Sequence, residues 1–386
     1  MIYDVCIIGG GISGLYCAYK LKQNGFKSVL VIEKNNYDDY NAGRLNNYLF
    51  HDNLVSTGAT IGRKDKDYLL IKLLNELNVN YKDVDIKYNY SKTISNFLNI
   101  YEIIDNLKIL LEKSVKKDYS VKDFFLKHYT KETYDNFLIL TGFTDYYNSD
   151  ITEFLYNYGI EDNITNWKGL KIIWRDLVKK LILNLNNIVE NEEIKSINYT
   201  NSNTYELESE KYIYKCKNVV IATTINHIKK LVNFDFLKYV ESQPFLKVFA
   251  KFSDKSSNII KQYVDGIMIV PTILHKIIHI NDGVYMIAYN DNNNSILLKD
   301  KVDDYIYLAN LVKESLGIKE NLEILDVKSF YWEEGTHYYK PLNNRETFFD
   351  NLQNPCDGLY IIGESVSNNQ GWVEGALESV ENILKL

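Results

Sequence analysis

The stretch that decides the fold is YDVCIIGGGISGLYCAYKLKQNGFKSVLVIEK, residues 3–34. Residues 3–8 form a short apolar run suited to a strand buried on both faces. Residues 15–24 carry apolar side chains at helical spacing, Gly25 stops that helix, and residues 28–32 form a second buried strand. Strand, glycine turn, helix and strand in this order make a βαβ unit. Gly9, Gly11 and Gly14 occupy the turn as G-x-G-x-x-G. The first glycine permits a tight turn, the second admits a pyrophosphate against the backbone, and the third lets helix pack closely on strand. Ile12 and Ser13, at the start of the helix, add oriented N–H groups. Glu33 follows nineteen residues after Gly14 at the end of the second strand. A carboxylate there accepts the hydroxyls of an adenosine ribose and disfavours a 2′-phosphate. Lys34 is assigned to the same site, and a bound dinucleotide is expected.

Outward from this unit the pattern changes twice. Residues 68–183 read as mainly helical, with YLLIKLLNELN, IYEIIDNLKILLEK and YDNFLIL at helical spacing. From residue 187 alternation returns: IVENEEIKSINYT and TYELESEKYIYKCKNVVIATT read as hairpin strands, with a buried strand at 219–222. A β-rich stretch at 246–289, a helix at 305–316, a strand at 325–331 and a closing strand with its helix complete the chain. With 386 residues and neither an internal repeat nor a low-complexity linker, two domains sharing the chain in alternating segments are expected.

A hydrophobic content of 46% and a charged content of 25% are those of a globular protein. The 32 tyrosines and four prolines are read as compositional drift. Net charge of −7 speaks against a nucleic-acid partner, which requires a basic face. Cys6, Cys17, Cys216 and Cys356 form no CxxC pair and no metal spacing with histidine, so no metal is expected. No run approaches the ~20 apolar residues that span a bilayer, and the N-terminus has no basic, cleavable leader. A soluble, cytoplasmic protein is expected.

In NAGRLNNYLF, Gly43 and Arg44 stand ten and eleven residues after Glu33, with Leu45 following. The series GxGxxG, Glu, Gly-Arg resembles that of the glutathione-reductase-type flavoproteins and, within them, the flavin-containing amine oxidase family. Ala42 replaces the first glycine of that family's GGR signature. No second GxGxxG occurs, so electrons are expected from the substrate rather than from a nicotinamide. The resemblance implies an α/β fold in which a Rossmann-like FAD-binding domain interleaves with an α+β substrate-binding domain. The first takes residues 1–57, 166–236 and 344–386; the second takes 58–165, which is helical from about 64, and 237–343. It implies FAD, with Arg44 against pyrophosphate and flavin and with Gly58, Ala59 and Thr60 of LVSTGATIG beside the cofactor. Ser56 stands where an acidic residue is common. Ile194 would meet the adenine, and Ala222 and Thr223 would close the FAD domain. Thr336 occupies the position where covalent members hold a cysteine, so a non-covalent flavin is expected.

The same resemblance assigns the reactive end. Lys247 of PFLKVFAKF matches the family lysine that reaches flavin N5 through a water. Residue by residue, it is one lysine on a strand face. His337 or Tyr338 would face the front of the ring, while Tyr331 and Trp332 suit packing between domains. The closing GESVSNNQGWVEGALES resembles the family's C-terminal FAD signature. Gly363 and Glu364 would hold the ribityl side, Gly371 would pass close to the ring, and the N–H groups of Trp372 and Val373 would donate to it. Trp372 would be one wall of an aromatic cage for the amine. Arg63 is a candidate for gripping a substrate carboxylate, or else begins a surface helix. The implied activity is amine oxidation with dioxygen as acceptor and hydrogen peroxide as product, on an amine, polyamine or amino acid. A desaturase of an apolar substrate and a catalytically silent flavin-binding protein are the alternatives.

Overall fold

The computed structural model describes residues 1–384. Strand Ile2–Ile8 pairs in parallel with Val29–Ile32 on one side and with Ile213–Ile221 on the other. Val5 and Ile7 enter one core with Leu15, Cys17, Trp174 and Leu177. Cys6 and Ile8 enter a second core on the opposite face with Leu30, Ile194 and Val219. Burial on both faces is why the run is apolar without alternation. Strand Leu359–Ile361 pairs in parallel with Ile213–Ile221, so both ends of the chain meet in one sheet. Helix Ile12–Gln23 packs on helix Val373–Ile383, and Tyr16 Oη donates to Glu381 Oε1 at 2.5 Å.

A second, six-stranded sheet is organised by two long strands, Val240–Phe252 and Ile324–Tyr339. Leu246, Val248 and Ala250 face a core closed by helix Tyr305–Leu316, and Lys247 faces the other way. Above that other face stands a helical layer. Ile100–Lys113, Val121–His128 and Lys131–Thr141 are each capped by a side chain, from Asn99, Ser120 and Thr130. Their buried residues recur at helical spacing, as in Ile100, Ile103, Ile104, Leu107 and Leu111.

The structure departs from the sequence reading in four places. The expected helical region contains strands Tyr81–Ile86, Tyr88–Tyr90 and Trp167–Ile172. Val84 and Ile86 alternate at strand spacing, and their segment is held by pairing with Trp167–Ile172 from distant sequence. Trp167–Ile172 pairs with both Ile61–Arg63 and Tyr81–Ile86, so the expected boundary at 165/166 falls beside a sheet that joins the two sides. Residues 188–199 are not one strand: Ile188–Val189 pairs in parallel with Val29–Ile32, and only Ser196–Tyr199 enters the hairpin. The strand expected at 325–331 continues to Tyr339 because it pairs with Val240–Phe252 on both sides of an irregularity at Gln243/Phe245. Among the described residues no helix is long and apolar enough to cross a membrane.

Candidate active site

The three turn glycines have different reasons to be glycine. Gly9 has φ +101°, and a Cβ there would lie 2.6 Å from the Ala222 carbonyl oxygen. A Cβ on Gly14 would lie 2.0 Å from the Gly9 oxygen. A Cβ on Gly11 would meet nothing within 4 Å. The protein's own packing therefore requires Gly9 and Gly14, whereas Gly11 borders open space of the kind a pyrophosphate fills. Gly43, at φ +52°, bends the turn in which Ala42 and Leu45 exchange both backbone hydrogen bonds, and a Cβ there would lie 4.0 Å from Gly11 Cα. Among the described residues Ser365 Oγ is buried without a partner, and it and Ser13 Oγ lie 3.7 and 3.8 Å from the Cβ position of Gly363. Open glycine backbone, a helix N-terminus and an unpartnered hydroxyl together fit a dinucleotide's phosphates.

Around this cradle the expected residues sort themselves. Glu33 accepts from Gly10 N at 2.6 Å and Asn35 N at 2.9 Å, which fixes its carboxylate over the turn with lone pairs to spare. Tyr37, which the sequence reading did not single out, donates to the Gly10 oxygen at 3.0 Å and covers the turn. Lys34 is exposed. Ile194 is 1% exposed and packs in the sheet core with Ile32 and Ile225. Ala222 and Thr223 back Gly9.

One buried carboxylate joins three distant segments. Glu364 Oε1 accepts from Arg44 Nη1 at 2.6 Å and from His337 Nδ1, and its Oε2 accepts from Gly371 N at 2.9 Å. Ile225 N donates to His337 Nε2 at 3.3 Å, so the ring proton sits on Nδ1. Burial pushes the Glu364 carboxyl upward, but His337 and Arg44 outweigh it and hold the group well below the usual carboxylate range. His337 is thus spent inside the protein rather than offered to a ring face. Tyr338 points the opposite way, toward Glu241 and Tyr147. Neither residue takes the front-facing position expected for it.

Lys247 is fully buried, and its Nζ donates to Ser56 O at 3.1 Å, Gly58 O at 2.5 Å and Thr60 Oγ1. Burial pushes its pKa down to about 7. The three accepting oxygens act in the other direction, because they favour the charged amine. Gly58 packs on Arg44: a Cβ there would stand 2.2 Å from the Arg44 oxygen, and Ala59 N donates to that oxygen at 2.9 Å. Arg44, the Gly58–Ala59–Thr60 turn and Lys247 therefore form one rigid unit.

Beside that unit lies a cavity of about 170 Å³. Ala59, Thr60, Gly371, Trp372 and Val373 line one end; Phe143, Asp145, Lys276 and Asp291 line the other. Trp372 precedes helix Val373–Ile383 with no side-chain cap, since an indole has a donor and no acceptor, and Glu374 accepts from Leu69 N and Leu70 N at 2.7 and 2.9 Å. Arg63 lies 3.9 Å from the centroid of the Trp372 ring. It is 5% exposed, and its guanidinium pairs with Asp67 at 2.7 Å and Asp162 at 3.3 Å. Two carboxylates already occupy it, so it neither begins a surface helix nor presents a free grip for a substrate carboxylate. Trp174 Nε1 is buried without a partner in the lining of the same cavity.

Residues 7–77 match the NAD(P)-binding Rossmann-like domain family. An uncharacterized protein, R188, of Acanthamoeba polyphaga mimivirus is 33% identical over 57 residues, which are 14% of this chain and 11% of that protein. Among solved structures, a cofactor-binding redesign of putrescine oxidase aligns with a TM-score of 0.79 at 15% identity, covering 100% of this chain and 98% of the other. The fold is that of putrescine oxidase. Wild-type putrescine oxidase bound to putrescine aligns with a TM-score of 0.78 at 14% identity, and each chain is covered over 100% of its length. In that shared fold the glycine cradle, the Arg44–Glu364 pair, Lys247 and Trp372 converge from the beginning, middle and end of the chain.

Proposed function

We propose that this protein is an FAD-dependent amine oxidoreductase that holds its flavin non-covalently. The flavin-holding unit takes residues 1–57, 166–236 and 344–386, and the remainder shapes the substrate side. Gly9, Gly11, Ser13, Gly43 and Gly363 would receive the pyrophosphate, and Glu33 the adenosine ribose. Arg44, the Gly58–Ala59–Thr60 turn, Gly371 and the N–H groups of Trp372 and Val373 would border the ring. When bound, FAD would supply a two-electron acceptor for the hydride on the amine's carbon; the amine nitrogen would give up a proton, hydride and proton would together reduce dioxygen to hydrogen peroxide, and water would hydrolyse the imine to aldehyde and ammonia.

The chain's own contribution is positioning and electrostatics. Lys247 holds the Ser56–Thr60 backbone in place and brings a buried positive charge next to the reactive end of the cavity, where it favours developing negative charge. Trp372 gives the amine an apolar wall, and its position at a helix start places uncapped N–H groups beside that wall. The enclosing rings of Tyr289 and Phe245 lower the local dielectric and keep the amine from dispersing into water.

The observation that supports this reading is an aromatic cavity bordered by the Ala59–Thr60 turn, which packs on Arg44, in a chain that also holds an open glycine cradle and whose whole length follows the putrescine oxidase fold. Purification followed by an absorption spectrum tests it. A yellow protein that releases FAD on denaturation, and that bleaches with an amine in the absence of oxygen, is expected. A colourless protein that takes up no added FAD would overturn it.

A further inference from the structure

The far end of the cavity holds two opposite charges that the fold keeps apart. Lys276 is 1% exposed and lines the cavity, with Nζ over the faces of Phe143 and Tyr289. Among the described residues it has no carboxylate within 4.0 Å and no hydrogen-bond partner for Nζ. Its stem is built in: Gly142 ends helix Lys131–Thr141 at φ +63°, and a Cβ there would stand 2.9 Å from Lys276 Cε. Asp145 lines the same end, and among the described residues one of its oxygens is taken, by the Tyr158 hydroxyl, which donates to Oδ1 at 2.5 Å. Asp291, by contrast, is spent on Thr144: both its oxygens accept from the backbone N–H at 3.1 Å, and one also accepts from the hydroxyl.

We propose that Asp145 and Lys276 together bind the zwitterionic head of a diamino acid, whose side-chain amine is the group oxidised at the Trp372 end. This rests on the amine-oxidoreductase reading above. A touching Asp–Lys pair would satisfy itself and leave nothing for a guest. Held apart, the carboxylate offers an acceptor and the ammonium offers donors, which is the complement of a zwitterion. Burial, and then Asp291, push the Asp145 carboxyl upward, while burial pushes the Lys276 amine downward. Each charge is therefore disfavoured in the empty cavity, and a guest bearing both signs restores both. A plain diamine would bring a second cation to Lys276, and an ω-amino acid such as 6-aminohexanoate would bring a carboxylate to Lys276 without an α-ammonium for Asp145. Lys247, Tyr289 and Lys276 lie on three successive strands of the six-stranded sheet. That spacing puts the two lysines roughly 10 Å apart, the reach of a short extended aliphatic chain.

The test uses the full chain loaded with FAD and compares L-lysine and L-ornithine with 1,5-diaminopentane, 1,4-diaminobutane and 6-aminohexanoate. The expected result is a kcat/KM at least tenfold higher for a diamino acid, with an aldehyde and not an α-keto acid as product. Lys276→Met and Asp145→Asn should each raise KM for the diamino acid at least tenfold, and Lys276→Met should raise kcat/KM for the diamines by removing the opposing cation. Calorimetric titration of L-lysine or L-ornithine into wild type and Lys276→Met reads the same site without turnover. Diamines oxidised as well as diamino acids by the wild type, or an α-keto acid product, would overturn this inference and leave amine oxidation standing. Binding that Lys276→Met abolishes, in a protein whose flavin no amine reduces, would support the site and overturn the catalytic reading. Neither binding nor reduction would overturn both.

Discussion

Glu364→Gln keeps the side chain's shape and removes the charge that ties Arg44, His337 and Gly371 together. The glutamate accepts three hydrogen bonds, two of them charge-assisted or nearly so, while 6% exposed. A glutamine has one acceptor oxygen. Placed toward Arg44 and His337, it sets its NH2 against the Gly371 N–H; turned over, it sets its NH2 against Arg44 and His337. Breaking a buried charge pair from one side costs about 3–5 kcal/mol. The Arg44 side chain is 31% exposed, and water can compensate part of its loss. We therefore expect about 3 kcal/mol of destabilisation at pH 7. The pH dependence has a definite sign. A carboxyl held below its unfolded value contributes stability that is present above that value, about 4.3 for glutamate, and that is lost as pH falls through the folded value. The gap between wild type and variant should thus be constant near neutrality and shrink on acidification. Urea unfolding of the FAD-free proteins at a series of pH values measures it. A gap below about 0.5 kcal/mol at pH 7, or one that widens toward acid, would refute the account of this carboxylate.

Gly11→Ala should unfold like the wild type yet bind FAD at least tenfold more weakly, because its Cβ meets no protein atom and points into the cradle. Gly14→Ala should instead lose about 2–3 kcal/mol of stability, since its Cβ runs into the Gly9 oxygen; urea unfolding and flavin titration separate the two. Arg63→Met should destabilise by about 3 kcal/mol by leaving buried Asp67 without its cation, while Asp162 keeps Lys66 at 2.8 Å, measured by the urea midpoint at pH 7. Lys247→Met should retain FAD but lower the rate of flavin reduction by an amine roughly a hundredfold, read by anaerobic stopped flow; an unchanged rate removes Lys247 from the mechanism.

How much of this was legible depended on sequence distance. The βαβ unit is local: its strands, turn and helix lie within residues 3–34, so each could be read from its own neighbours. Helix Tyr305–Leu316 was legible for the same reason. The Arg44–Glu364 pair spans 320 positions, and no pattern near either residue announces the other. Arg63 looked free because one of its partners, Asp162, lies 99 residues away. Its nearer partner, Asp67, sits only four residues on and was a signal that went unused. Lys276 carried no sequence signal either, since HKIIHI reads as an ordinary alternating strand. Only the fold turns its amine into a closed cavity. Residues 81–90 misled the reading because strand formation there depends on partners at 167–172 and 267–269.

The two long strands have a mechanical consequence. Val240 and Tyr339 pair with each other inside the core of the dinucleotide-binding sheet, while Phe252, at the far end of the same ladder, lies in the core of the six-stranded sheet. One strand of 13 residues runs between them, about 40 Å of extended backbone. Its ladder with Ile324–Tyr339 shifts register between Gln243 and Phe245, around Pro244. The two halves are thus joined by a shared ladder as well as by loops, and its weakest point, where a proline withholds a donor, lies between the two cores.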